Sequence, residues 1–142
     1  MNRFNHLIQK QSILYRGGVI SKILCKILNR CIRWYYHCDI PYSLNIRNVY
    51  FCHKGFGVVI NPNAYIGEGT YIQHGVTIGS RDDTNNIKAP NIGKKCYIGA
   101  KATIIGDVRI GNNVKIGAGA VVISDIPDGA TAVGVPAKII SK

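Results

Sequence analysis

Acidic residues are what this 142-residue chain has least of: seven Asp and Glu stand against eighteen Lys and Arg, a formal net charge of +11. The deficit is sharpest in residues 1–38, which hold Arg3, Lys10, Arg16, Lys22, Lys26, Arg30 and Arg33 and no carboxylate. Such a segment suits an acidic partner, either an anionic lipid surface or a phosphorylated substrate; a basic face that is simply solvated explains it equally well. Nucleic acid is not expected, because no recognised DNA- or RNA-binding motif accompanies the charge. Long apolar runs are missing too. No stretch reaches the roughly 18–20 residues of a membrane span, and the N-terminus lacks the apolar run and small-residue cleavage site of a secretory signal. The expectation is a cytoplasmic protein whose only membrane relation is peripheral, through residues 1–38. There is no CxxC pair: Cys25, Cys31, Cys38, Cys52 and Cys96 are odd in number and irregularly spaced. They read as free thiols in a reducing compartment, with no metal expected. No GxxxxGK[ST] pattern is present, so the glycines do not read as a phosphate loop.

What the chain does have is a period of six. From Ile60 it reads INPNAY, IGEGTY, IQHGVT, and after a break it resumes as IGKKCY, IGAKAT, IIGDVR, IGNNVK, IGAGAV. Aliphatic residues fall at 60, 66, 72 and 78, and again at 92, 98, 104, 110, 116 and 122. Four places after most of them stands a small or modest residue: Ala64, Thr70, Val76, then Cys96, Ala102, Val108, Val114 and Ala120. Six is a multiple of the strand period of two and not of the helical 3.6. Short strands joined by tight turns therefore fit, with Gly and Asn at the corners, where they tolerate positive φ. Stacked at about 4.8 Å per coil, they make an all-β solenoid, a parallel β-helix of hexapeptide repeats.

Two breaks interrupt the rhythm. Fourteen residues separate Ile46 from Ile60, and the excess falls in or near "CHKGFGVV". A further fourteen separate Ile78 from Ile92, where "SRDDTNNIKAPN" loses the small-residue pattern and reads as a protruding loop at about 80–91. Interruptions are where a solenoid can aim side chains at a ligand, since its regular faces are used for packing. Ahead of the repeats, Phe4, Leu7, Ile8, Ile20, Ile23, Leu24, Ile27, Leu28 and Ile32 recur at helical steps, with "RGG" at 16–18 between two helical pieces. The organisation expected is a basic N-terminal helical segment at 1–38, the repeat solenoid at 39–127 and an extended tail at 128–142.

Residues from about 39 to 142 resemble the serine acetyltransferase branch of the hexapeptide-repeat acyltransferases. The match is carried by "DI" at 39–40, "CHKGFGVVI" at 52–60, "QHGVTIG" at 73–79, "IGAKATIIGDVRIGNNVKIGAGAVV" at 98–122 and "VGVPAKII" at 133–140. The resemblance implies a left-handed coil and a homotrimer. It also implies transfer of an acetyl group from acetyl-CoA to a hydroxyl, in a groove between neighbouring solenoids. It gives His53 the place of the general base, a role an imidazole fills because it titrates near neutrality and can take the hydroxyl proton as the C–O bond forms. Asp39 takes the place of the carboxylate that holds that imidazole. Ala100 and Ala118 match positions that meet the pantetheine arm of CoA, and Lys138 matches a position near a CoA phosphate. His74, on an outward position of a regular hexad, reads as a substrate-groove or trimer-contact residue. Without the resemblance, His53 is a histidine on an irregular loop.

The chain also departs from that branch. Serine acetyltransferases carry an "RHP" motif after the protruding loop, and the matching stretch here is Lys88-Ala89-Pro90. Lys88 remains as a substrate-binding candidate. Those enzymes place Asp directly before the catalytic histidine, where this chain has Cys52. The large helical N-terminal domain is replaced by about 38 residues. The charge complementarity that an amino-acid zwitterion needs is therefore not visible. Three readings follow: a CoA-dependent O-acetyltransferase acting on a sugar or glycan precursor, as in surface-polysaccharide pathways; a serine O-acetyltransferase with altered contacts; and a non-catalytic solenoid that serves assembly.

Overall fold

A computed structural model describes residues 3–44, 46, 48–81 and 88–141. Two helices come first, α1 (Arg3–Tyr15) and α2 (Val19–Tyr36), separated at Gly17-Gly18. Short strands follow: β1 (Tyr50–Phe51), β2 (Val59–Ile60), β3 (Tyr65–Ile66), β4 (Tyr71–Ile72), β5 (Thr77–Gly79), β6 (Asn91–Ile92), β7 (Tyr97–Ile98), β8 (Thr103–Ile105), β9 (Arg109–Ile110), β10 (Lys115–Ile116), β11 (Val121–Val122), β12 (Thr131–Val133) and β13 (Lys138–Ser141).

The strands form three sheets that make the walls of a prism. The first runs β1-β4-β7-β10-β12-β13, the second β2-β5-β8-β11 and the third β3-β6-β9. Pairing within each wall is parallel apart from β13, which returns antiparallel on β12. Where the hexads run unbroken, Tyr97 pairs with Lys115 and Thr103 with Val121, three hexads later in each case, so one coil spends one hexad on each wall. Between Tyr71 and Tyr97 the step is eight residues longer. The excess lies in the protruding loop, whose residues 82–87 are outside the described residues.

Inside the prism, the aliphatic row and the small-residue row interlock. Ile72, Ile78, Ile92, Ile98 and Ile104 are fully buried, as are Val76, Ala102, Val114 and Ala120. Alternation of branched with small side chains is what a narrow core permits, since two large residues facing each other would overfill it. Thr70 is the polar exception and is satisfied: its hydroxyl donates to the Gly93 carbonyl at 3.1 Å and accepts from the Cys96 amide at 3.3 Å.

The irregular first coil is resolved by Phe51. It is 1% exposed and takes the inward place after Ile46, one residue early for the rhythm; the surplus then falls between Phe51 and Ile60. The helices close this end. Phe4 packs edge-on to Phe51 and Tyr36, with centroids 5.9 and 4.7 Å apart, and the buried Asn5 Oδ1 accepts the Phe51 amide at 3.0 Å. At the far end β13 covers the edge of β12, so neither end presents a long open strand edge.

Because Ile98 is fully buried in the central coil with neighbouring coils on both sides, Ile98→Ala is expected to cost about 2–5 kcal/mol. Chemical denaturation read by circular dichroism checks this; a loss well under 1 kcal/mol would mean that the core collapses around the cavity.

Candidate active site

Strands β1, β4, β7 and β10 of the first wall each lead into a corner before the second wall, and four of the site residues predicted from sequence lie along that one corner. His53 follows β1, His74 follows β4, Ala100 follows β7 and Ala118 follows β10. Backbone bonds tie the corners into a ladder: Gly75 N–H to Phe56 O at 2.8 Å, Lys101 N–H to His74 O at 2.9 Å and Gly119 N–H to Ala100 O at 2.8 Å. At about 4.8 Å per coil, the line from the coil of His53 to that of Ala118 is roughly 14 Å long. The corner backbones approach closely. A Cβ on Gly99 would stand 2.5 Å from the Ala118 nitrogen, which is why glycine precedes Ala100.

The first corner is built differently from the others. His53 (φ 49°, ψ 37°) and Lys54 (φ 56°, ψ 30°) are two successive left-handed residues in the short turn Cys52–Gly55. Gly55 and Gly57 also have positive φ. Holding non-glycine residues there costs of order 1–3 kcal/mol each, and such strain concentrates at functional sites. Phe4 supplies part of the constraint, because its ring occupies the space that a Cβ on Gly55 would need. The turn leaves His53 exposed on the corner with its ring set edge-on to the ring of His74, centroids 5.1 Å apart. His74 is half-buried, and its Nδ1 is buried without a hydrogen-bond partner. The two histidines thus face one small volume.

Lys54 follows His53 in the turn and Lys101 lies on the corner above His74, while the side-chain bonds nearby join uncharged groups. Gln73 Nε2 donates to Tyr97 Oη at 3.1 Å and lies 3.3 Å from Cys52 Sγ. Phe56 stands edge-on to His37, the C-cap of α2, with centroids 6.0 Å apart, and Gly57 N–H donates to His37 O at 3.0 Å. Gln73, Tyr97 and Phe56 were not singled out from the sequence. Gln73 sits beside His74 on an outward position and could have been suspected, but its pairing with a residue 24 positions away is set only by coil stacking.

Asp39 lies one coil below, bridged to β2 through Asp39 N–H to Val58 O at 2.7 Å and Ile60 N–H to Asp39 O at 2.9 Å. Its carboxylate pairs with Arg33 of α2 at 3.1 Å, and among the described residues no hydrogen bond joins it to His53. Lys88 is not brought to the histidines either. It follows the protruding loop, on the corner between the second and third walls, and pairs with Asp107 at 3.0 Å. Lys138 opens β13 beyond the top of the corner line, where Ala137 N–H bonds to Val121 O at 2.8 Å. Among the described residues no three His, Cys, Asp or Glu side chains converge in a way that would hold a metal ion.

Three of the five thiols are pushed above their ordinary range. Burial raises Cys25 and Cys96, and it lifts Cys38 to about 11, with the adjacent Asp39 adding to the shift and Arg33 opposing it. Because the folded state holds the Cys38 proton more tightly than the unfolded chain, its contribution to stability is intact below pH 9 and is lost as pH rises from 9 towards 11. Cys31, which is exposed, is expected to alkylate first at neutral pH, while Cys25, Cys38 and Cys96 stay protected until the chain unfolds. Mass-resolved alkylation checks the order, and early labelling of Cys96 would contradict the packed coil.

Comparison with known proteins places this geometry. The family "Bacterial transferase hexapeptide (six repeats)" matches residues 89–124. The chain is 38% identical over 119 residues to the serine acetyltransferase of Helicobacter pylori (strain ATCC 700392 / 26695), covering 84% of this chain and 70% of that one. It is 39% identical over 117 residues to the putative colanic acid biosynthesis acetyltransferase WcaB of Escherichia coli (strain K12), covering 82% and 70%. Among solved structures, serine acetyltransferase from Brucella abortus strain S19 in complex with coenzyme A superposes with a TM-score of 0.86 at 28% identity, covering 97% of this chain and 54% of that one. The chain therefore spans about half the length of that structure.

Proposed function

The chain belongs to the hexapeptide-repeat acetyltransferases, in the branch that holds serine acetyltransferases and WcaB-like proteins, and from that premise we propose that it moves an acetyl group from acetyl-CoA to a hydroxyl of a sugar or glycan precursor. The observation that carries the reading is the single corner line, with His53 at one end and the close-packed backbones at Ala100 and Ala118 further along it. The thioester arm of acetyl-CoA runs along the small residues, and Lys138 supplies a cation suited to a CoA phosphate.

His53 takes the proton of the acceptor hydroxyl as its oxygen attacks the thioester carbonyl. The tetrahedral intermediate collapses with cleavage of the C–S bond, and the departing CoA thiolate takes that proton back from the imidazolium. Backbone N–H groups at the corners are suited to receive the developing oxyanion. His74 faces the same volume and binds the acceptor.

Sugar is favoured over serine by the surroundings of His53. Its neighbours Cys52, Gln73, Tyr97 and Phe56 offer neutral hydrogen-bonding groups and aromatic faces, which suit a carbohydrate. Among the described residues, no carboxylate takes part in the bonds or ring contacts around it, where an amino acid's ammonium group would want one. Lys88 lies on a different corner from His53 within one chain. A homotrimer, in which an edge of one solenoid faces another, would bring these two corners to a shared groove.

Thiol release from acetyl-CoA, measured with nucleotide sugars, monosaccharides and L-serine, tests the reading. Turnover is expected with a sugar and not with serine, and His53→Ala is expected to lower kcat by about 10²–10⁴-fold. Strong turnover with serine would overturn the choice of acceptor. Full activity in His53→Ala would overturn the choice of base. Ala118→Leu places a branched side chain on the arm's path and is expected to raise KM for acetyl-CoA roughly tenfold, with an unchanged thermal midpoint because Ala118 is exposed.

A further inference from the structure

The strongest feature the acetyl-transfer reading leaves unused is the outer surface of α2. Cys25, Asn29 and Ile32 bury one face of this helix. At 100° per residue, Ile20, Ile23, Ile27 and Trp34 all fall within roughly 40° of the direction opposite Cys25. They are 77%, 53%, 57% and 79% exposed. An apolar stripe pointing away from the core is not explained by folding, since α2 already has its packed face. Along one flank of the stripe run Lys22, Lys26, Arg30 and Arg33, of which Arg33 is held by Asp39. Where that flank meets the stripe, an open cleft of about 680 Å³ is lined by Lys26, Asn29, Arg30, Arg33, Trp34 and His37, with no carboxylate on its wall.

We propose that α2 is a membrane-docking surface, lying flat on an anionic bilayer with the Ile20–Trp34 stripe at the acyl boundary and the Lys26–Arg30 flank on lipid phosphates. An in-plane amphipathic helix with basic residues beside its apolar face and an aromatic at the end of that face has the required chemistry. No described helix is long and apolar enough to cross the bilayer, so the contact is with the surface. A second copy of the chain is the other candidate occupant, and charge decides against it. Residues 1–38 contain no acid, so two α2 faces brought together would bury cationic flanks with no carboxylate from either helix pair to neutralise them. Phosphate headgroups supply both the missing negative charge and an apolar layer.

Trp34 is the single tryptophan of the chain and reports directly on the event. On adding equimolar phosphatidylcholine–phosphatidylglycerol vesicles to the 142-residue chain, its emission is expected to shift to the blue and the protein to co-float. Pure phosphatidylcholine should do neither, and added salt should weaken the response. Lys26→Gln with Arg30→Gln is expected to weaken partitioning roughly 30-fold. Ile23→Ser with Ile27→Ser should abolish the shift while leaving circular dichroism and thermal midpoint unchanged, because both side chains are exposed. An emission already blue without vesicles that moves to the red on dilution would assign the stripe to a second copy and overturn the proposal. No shift with either vesicle would overturn it outright.

Discussion

The coil-on-coil register is the constraint from which the rest of the molecule follows. Strand amides find their carbonyls in the next coil, as Tyr97 N–H finds Val114 O and Gly99 N–H finds Ile116 O, both at 2.8 Å, while corner amides bond back to the coil before, as Gly119 N–H does to Ala100 O at 2.8 Å. Parallel stacking at that step leaves a cross-section too narrow for anything beyond one branched and one small side chain per hexad. The inward sequence is thereby spoken for. Any residue that does chemistry must sit at a corner or point outward, and it recurs at the same angular position in every coil. The alignment of His53, His74, Ala100 and Ala118 on one edge is a consequence of that repetition: a straight line of corners suits a long, thin acyl carrier.

The same constraint explains why His53 needs help that its counterparts do not. A regular corner is held above and below by identical corners, whereas the first has a coil on one side only. The helices supply the missing support. Phe4 fills the space beside Gly55, Asn5 accepts the Phe51 amide and the His37 carbonyl accepts the Gly57 amide. A strained pair of left-handed residues survives there because contacts from three segments fix it from outside. The N-terminal helices are therefore part of how the site is made.

The repeat was legible because its signal is periodic and each inward position confirms the last, so Ile98 and Ala102 are placed by their neighbours in sequence as firmly as by their neighbours in space. That His53 and the corner alanines share one edge was legible from their spacing. What escaped was non-periodic. Phe51 enters the core beside Phe4, and no hexad rule selects it. The Gln73–Tyr97 bond and the Arg33–Asp39 pair depend on which outward side chains become neighbours once coils and helices are packed. Lys88 was grouped with the histidines by motif analogy, and the prism puts it on another corner, where Asp107 stands ready to pair with it.

The Arg33–Asp39 pair bears on how the two ends of the α2 segment act together. Both side chains are about half exposed, at 54% and 43%, and pairs of that kind contribute only about 0–1 kcal/mol. Such a contact is readily exchanged. A carboxylate also has two oxygens and about four acceptor sites, so Asp39 holding Arg33 through Oδ2 retains Oδ1 for another donor. Asp39 is thus held at its side chain by Arg33 of the basic flank and at its backbone by β2. His37, two residues before Asp39, carries the carbonyl that holds the His53 turn through Gly57. Five residues of chain, from Arg33 to His37, therefore span the distance from the basic flank to the support of the proposed base.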